Sequence, residues 1–171
     1  MTGYIENCKN LFKYYKSLGD KSLERCEEEK MGFQFNEDSN SMTTLVLHMS
    51  GNMISRWTDF LTTDGEKVWR NRDAEFENVS FSKSELIEIW EKGWKVLFDT
   101  FAILSDADLQ TTVYIRNEGH SVMEAINRQL AHYSYHVGQM VFLSKAINQE
   151  WESLSIARNK SEDFNKEKFG K

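Results

Sequence analysis

The chain has 171 residues, and its formal charge at neutral pH is −6. This acidic balance excludes a nucleic-acid partner, because binding phosphates requires clustered lysines and arginines. With 40% hydrophobic and 13% aromatic residues the chain is not disordered, and no apolar run reaches the ~20 residues of a membrane-spanning helix, so we expect no membrane partner.

Proline is absent, and this favours long helices over a turn-rich β protein. Cys8 and Cys26 both fall in the first predicted helix, which would hold them about 27 Å apart, too far for a disulfide. We interpret Cys8 as a buried, inert thiol. Two unpaired thiols and an amino terminus without a secretory signal pattern predict a cytoplasmic protein.

The spacing of apolar residues predicts a first helix over 4–29 and a second from 41 or 42 to 62. A polar residue among 39–41 would cap the second helix at its amino end. His48 falls at the flank of the apolar stripe of this helix. It is therefore placed to face a neighbouring helix.

Between 62 and 82 the helical periodicity fails, and we predict a long connection. Such connections are uncommon in compact domains unless they serve a site or cross a bundle. We interpret the charged run over 70–77 as a solvated loop. Ser82 and Glu85 then form a capping box for a third helix.

The β-branched residues over 111–115, followed by Asn-Glu-Gly, predict a short strand or hairpin. Ser121 and Glu124 form a second capping box, which opens a fourth helix whose apolar residues recur in steps of three and four. This seam is typical of a four-helix bundle. We therefore predict an all-α four-helix bundle over 1–158, with a hairpin-like segment before its last long helix and a polar tail over 159–171.

Two of the four histidines, His132 and His136, lie four residues apart on the fourth predicted helix. Positions i and i+4 project from one face, so both imidazoles can reach one metal ion, but a metal site needs a third protein ligand. His48 can supply it if the flank of the second helix packs against that face. Three neutral imidazoles would make an open site, with water or substrate completing the coordination.

Other histidine sites are excluded by what the sequence lacks. A protease helix of the HExxH type would need a glutamate where Tyr133 stands. A di-metal carboxylate bundle would need a glutamate three residues before a histidine. His120, in the hairpin region, is more typical of a loop or surface position. Separately hydrogen-bonded structural histidines remain the alternative, because a pair at this spacing alone is a weak motif.

Polar residues near the histidines are candidates for substrate binding. Asn52 and Arg56 follow His48 by one and two helical turns and can face an anionic substrate; a helix–helix hydrogen bond and a surface charge are the alternatives. Gln129 and Gln139 are candidate partners of the imidazoles, alongside backbone carbonyls. The tryptophans at helical spacing are expected in the core rather than in a substrate site: Trp57, Trp90 and Trp94.

Three segments carry a resemblance to a known family. They are Leu-His-Met-Ser-Gly-Asn over 47–52, Tyr-Ile-Arg-Asn-Glu-Gly-His-Ser-Val over 114–122, and Gln-Leu-Ala-His-Tyr-Ser-Tyr-His-Val-Gly-Gln over 129–139. In these segments the chain resembles the DinB-like family of metal-dependent enzymes, which includes the bacillithiol S-transferases. The resemblance extends over about 4–158, and its specific part is one histidine followed by a pair.

This resemblance implies a homodimeric four-helix bundle in which His48, His132 and His136 bind a divalent ion, with zinc, nickel and iron all suited to such ligands. In the transferase members the site would hold a low-molecular-weight thiol and transfer it to an electrophile. We therefore expect a metal-dependent thiol S-transferase, or a related enzyme acting on another small molecule. The alternatives are a non-catalytic metal-binding module and a structural dimeric bundle whose histidines lie apart.

Overall fold

The computed structural model describes residues 3–77, 79–148 and 150–170. Over these residues the chain forms five α-helices and one antiparallel pair of strands. The prediction of a mainly helical protein with a hairpin before its last long helix is confirmed. The elements are α1 (Tyr4–Arg25), α2 (Met42–Trp57), α3 (Lys83–Ile103), β1 (Thr112–Ile115), β2 (Glu118–Ser121), α4 (Val122–Ile147) and α5 (Ser161–Phe169).

The four long helices share one aromatic core. Helix α2 packs against α3 and α4, and α1 packs against α4 and α3. The ring of Phe12 in α1 lies 5.3 Å from that of Phe101, 5.9 Å from that of Tyr133 and 6.2 Å from that of Trp57, so side chains of all four helices meet around it. The predicted core positions of the tryptophans are confirmed: Trp57, Trp90 and Trp94 are all buried.

Local capping sets where α3 and α4 begin. The side chain of Ser82 accepts a hydrogen bond from the backbone N–H of Glu85, and the Glu85 carboxylate accepts one from the backbone N–H of Ser82. Ser121 and Glu124 form the same pair of hydrogen bonds at the start of α4. Both predicted capping boxes are therefore confirmed. Ser41 caps α2 through the backbone N–H of Thr44.

Replacing Ser121 with alanine is expected to lower the free energy of unfolding by about 1 kcal/mol, because the backbone N–H of Glu124 at the start of α4 loses its acceptor. Urea denaturation of the two proteins measures the difference. Ser134→Ala, the same change inside α4, is the control, since the Ser134 hydroxyl only donates to the carbonyl of Ala131. Equal losses in both variants would contradict the assigned role of the cap.

Helices α1 and α2 end earlier than their apolar patterns predicted, at Arg25 and Trp57. After α2, Thr58 is extended and Asp59 has a φ of 49°, while the hydroxyl of Thr100 in α3 donates to the carbonyl of Trp57 at 2.8 Å. After α1, the ammonium of Lys83 donates to the carbonyls of Glu24 and Cys26. Groups from distant parts of the chain thus satisfy the helix ends.

The hairpin is joined to the connection that follows α2. Its turn residues Arg116 and Asn117 have φ values of 54° and 62°, and both of their backbone N–H groups donate to the carboxylate of Asp64, at 2.9 and 2.8 Å. The N–H of Gly65 donates to the carbonyl of Tyr114 at 2.7 Å. These bonds place the Arg116 side chain beside α2.

The remaining predictions concern the thiols and the tail. Cys8 is buried and both thiols are unpaired, as the sequence predicted, and Cys26 is buried as well. Within the predicted tail, α5 has no buried residue. Among the described residues, no helix has the length and apolar character needed to cross a bilayer.

Candidate metal centre

The structure brings three of the four histidines together between α2 and α4. The Nε2 atom of His132 lies 3.3 Å from Nε2 of His48 and 3.0 Å from Nε2 of His136. His48 and His136 are 6% and 7% exposed, and His132 is half-buried. His120 instead lies on β2, where it pairs with Val113, and is not part of this cluster.

The spacing of the three nitrogens suits a metal ion. Bonds of about 2.0 Å at tetrahedral angles place two ligand nitrogens about 3.3 Å apart. The Nδ1 atom of His48 lies 2.9 Å from a carboxylate oxygen of Glu75, and Nδ1 of His136 lies 2.9 Å from the amide oxygen of Gln139. Because both partners accept hydrogen bonds, both Nδ1 atoms carry the proton, and the two Nε2 lone pairs point into the cluster.

His132 alone cannot satisfy both of these lone pairs. Its Nε2 can donate one proton to one neighbour, which leaves the other lone pair without a partner. A cation, in contrast, could be coordinated by all three Nε2 atoms. Burial together with the neighbouring His136 and His48 lowers the pKa of His132 to about 3, and burial lowers that of His136, so these two imidazoles are neutral near pH 7.

Glu75 is the residue of this centre that the sequence did not reveal. It belongs to a 3-10 turn, Asp73–Phe76, inside the predicted connection, and it is buried against His48. Arg70 holds it by two contacts, Nε to Oε1 at 2.7 Å and a terminal nitrogen to Oε2 at 2.8 Å. Although burial alone would raise the pKa of Glu75, hydrogen bonds from His48 and Arg70 lower it below its ordinary value.

The interpretation of 70–77 as a solvated loop is therefore wrong at two positions. The side chain of Arg70 is 3% exposed and that of Glu75 is buried, whereas Arg72, Asp73 and Glu77 are exposed. Carboxylates that accept from a ligating imidazole fix the ring and raise its basicity. Glu75 thus orients His48 in the way that a metal ligand requires.

Gly51 provides the space that Glu75 occupies. It lies on α2 almost one turn after His48, and a Cβ added there would overlap Oε1 of Glu75. Any larger residue must displace the carboxylate from His48 or from Arg70. Gly138, on α4 two residues after His136, has no atom within 4 Å of an added Cβ.

Replacing Gly51 with alanine is expected to weaken metal binding about tenfold, within the range typical for disturbing a group that orients a ligand. Competition with a chromophoric chelator measures the affinity. Gly138→Ala is the matched control, because it makes the same change in the partner helix without a steric conflict. Equal metal affinity in the two variants would contradict the role given to Gly51.

A cavity of about 320 Å³ opens beside His48 and His132. Both predicted substrate-binding residues line it. Asn52 accepts a hydrogen bond from the hydroxyl of Tyr133 at 2.9 Å, so its helix–helix contact is also present. Arg56 is not a surface charge: it is buried and donates to the carbonyl of Gly65 and the carboxylate of Glu66.

The remaining lining residues are Gln129 and four arginines that the sequence did not indicate: Arg70, Arg72, Arg116 and Arg128. Of the two glutamines proposed as imidazole partners, Gln139 contacts His136, while Gln129 faces the cavity.

A family model with the description "Protein of unknown function (DUF1572)" matches residues 1–160. No curated protein matches the chain.

Proposed function

Since the chain belongs to the DUF1572 family of proteins of unknown function, we propose from its site that it binds one divalent metal ion through His48, His132 and His136. The observation that carries this proposal is the convergence of three Nε2 atoms, with His132 3.0 and 3.3 Å from its neighbours. Two of the rings are held by acceptors at Nδ1, an arrangement that leaves their lone pairs for a cation.

We further propose that the protein is a DinB-like four-helix bundle with a single domain over 1–158, and that it acts as a homodimeric metal-dependent thiol S-transferase or a related enzyme. The mutual packing of α1 to α4 and the placement of the histidines on α2 and α4 support this relationship. The open side of the centre faces a cavity, which supports catalysis over a sealed structural site.

A divalent ion in this centre would lower the pKa of a bound thiol and hold its sulfur as the thiolate. The surrounding residues have separate tasks. Glu75 and Gln139 fix the rings of His48 and His136, and Asn52 and Arg56 line the cavity in which the substrate would lie. In the transfer, the sulfur forms a bond to the electrophilic carbon, the leaving group departs with its bonding electrons, and the thiol proton passes to solvent.

Elemental analysis of protein purified without a histidine tag tests the metal site. We expect one ion per chain, with zinc, nickel and iron all measured. Stripping the ion should lower the melting temperature and adding it back should restore it, because a ligand that binds only the folded state stabilises that state. Protein that holds no metal at any tested concentration would overturn the proposal and favour the structural bundle.

The transfer reaction has its own test. Thiols of different charge are offered with a chlorodinitrobenzene-type electrophile, and product is followed with and without the ion. Metal-dependent turnover supports the transferase. Bound metal without turnover for any thiol would favour the non-catalytic metal-binding module. Light scattering of the same sample tests the homodimer.

A further inference from the structure

Five arginines from four separate segments line the cavity beside the histidines. Arg56 comes from α2, Arg70 and Arg72 from the connection, Arg116 from the hairpin turn and Arg128 from α4. The carboxylates of Glu66 and Glu75 lie among them. Counting these two carboxylates and leaving aside the exposed Asp73, the five positive charges exceed the negative ones by three, in a protein whose overall charge is −6.

Ion pairing is weakest at the two outer arginines, Arg72 and Arg128. Glu66 serves both Arg56 and Arg116, each at 3.1 Å. The nearest carboxylate to Arg72 is that of Asp73, at 3.9 Å and almost fully exposed. Within the described residues, no ion pair engages Arg128. The guanidinium group of Arg72, which also lies over the ring of Phe76, and that of Arg128 can therefore meet a ligand.

Two buried polar atoms, each in a residue that lines the cavity, also lack partners within the described part of the chain. They are Nε of Arg56 and Oε1 of Gln129, in residues that are 6% and 3% exposed. A buried polar group without a hydrogen bond destabilises the fold, because its lost contacts with water are not replaced. A ligand with an anionic oxygen would satisfy the first, and a ligand hydroxyl or N–H would satisfy the second.

We propose that this cavity binds a small molecule that carries at least two negative charges, as carboxylate or phosphate oxygens, together with one hydrogen-bond donor. Arginine forks match the paired oxygens of both groups, and a volume of 320 Å³ limits the ligand to a small metabolite. Arg72 and Arg128 hold the charged end, and the opposite end reaches His48 and His132. That this ligand is the substrate rests on the function proposed above; the anion site itself does not.

Calorimetric titration of the untagged protein at low salt tests the site. The probes are succinate, glycerol 3-phosphate and the uncharged succinamide. We expect at least one dianion to bind, no binding of succinamide, and an affinity that falls as sodium chloride is added. Comparing the two dianions shows whether carboxylate or phosphate oxygens are preferred.

Substitutions distinguish binding in the cavity from attraction by the electrostatic field of the whole protein. Arg128→Gln and Arg72→Gln should each lower the affinity for the dianion about tenfold. Lys145→Gln is the matched control, because it removes one exposed positive charge from the same helix as Arg128 outside the cavity and should change nothing. Melting curves of all variants confirm that they are folded.

Metal content is measured on the same samples. Binding of neither dianion, or equal binding by the Arg128 and Lys145 variants, would overturn the anion site, even if the metal is present. Binding that depends on Arg128 in a protein without metal would support the anion site and overturn the proposed metal function instead.

Discussion

The His136→Ala variant is expected to lose at least about a hundredfold in metal affinity, because two histidines cannot supply the binding free energy that three share. Nε2 of His136 lies 3.0 Å from that of His132, closer than Nε2 of His48, which lies at 3.3 Å. Its removal also leaves the Gln139 amide oxygen without its partner. Dialysis followed by elemental analysis, and titration against a chelator, measure the loss.

His120→Ala is the matched control for this experiment. It removes an imidazole from the hairpin and leaves the three converging nitrogens intact, so its metal content should equal that of the unaltered protein. If His136→Ala kept a full equivalent of metal after dialysis while remaining folded, the three-histidine centre would be ruled out.

The Glu75→Gln variant is expected to lose about 10- to 100-fold in metal affinity and about 3 kcal/mol of unfolding free energy. An amide has the shape of the carboxylate but only one acceptor oxygen. Its N–H₂ group must face a donor, either Nδ1 of His48 or the guanidinium of Arg70. Since the Arg70 side chain is 3% exposed, its buried charge would keep only the longer contact to Glu66, at 3.8 Å.

Chelator titration and urea denaturation of the Glu75 variant measure the two effects separately. Glu77→Gln, two residues later and exposed, is the control and should behave like the unaltered protein. If Glu75→Gln bound metal as tightly as the unaltered protein, the carboxylate would not be what orients His48.

The same residue gives the apoprotein an acid dependence. Because its pKa is lowered in the folded state, Glu75 contributes stability above its unfolded value of about 4.5, and this contribution is lost as the pH falls through the lower folded value. Glu75→Gln cannot take up that proton, so its unfolding free energy should fall less steeply in acid. Parallel curves for both proteins would contradict this assignment.

Those parts of the fold that depend on neighbouring residues in the sequence were predictable. The capping boxes at Ser82 and Ser121 lie within four residues of the helices they open, and the apolar steps of α4 report its buried face directly. The end of α2 was not predictable. It is set by Thr100 of α3, which contacts Trp57 across the core, and no local pattern records that contact.

The candidate metal centre likewise has a part that the sequence could predict and a part that it could not. His132 and His136 share a face because of the helical repeat, and His48 stands at the flank that meets them. Glu75 lies in a charged run of the kind that usually is solvated, and its burial depends on the space left by Gly51 on another element. The arginines of the cavity come from four distant segments, so only the folded chain shows that they belong together.

The bonds from Asp64 to the hairpin turn restrict how the length of this protein can vary. Surface turns ordinarily tolerate insertions and deletions. Here an added residue beside Arg116 or Asn117 would pull on Asp64, and thereby on the stretch of chain that leads to Arg70 and Glu75. We therefore expect a change in the length of this outer turn to disturb the orientation of the buried His48 imidazole.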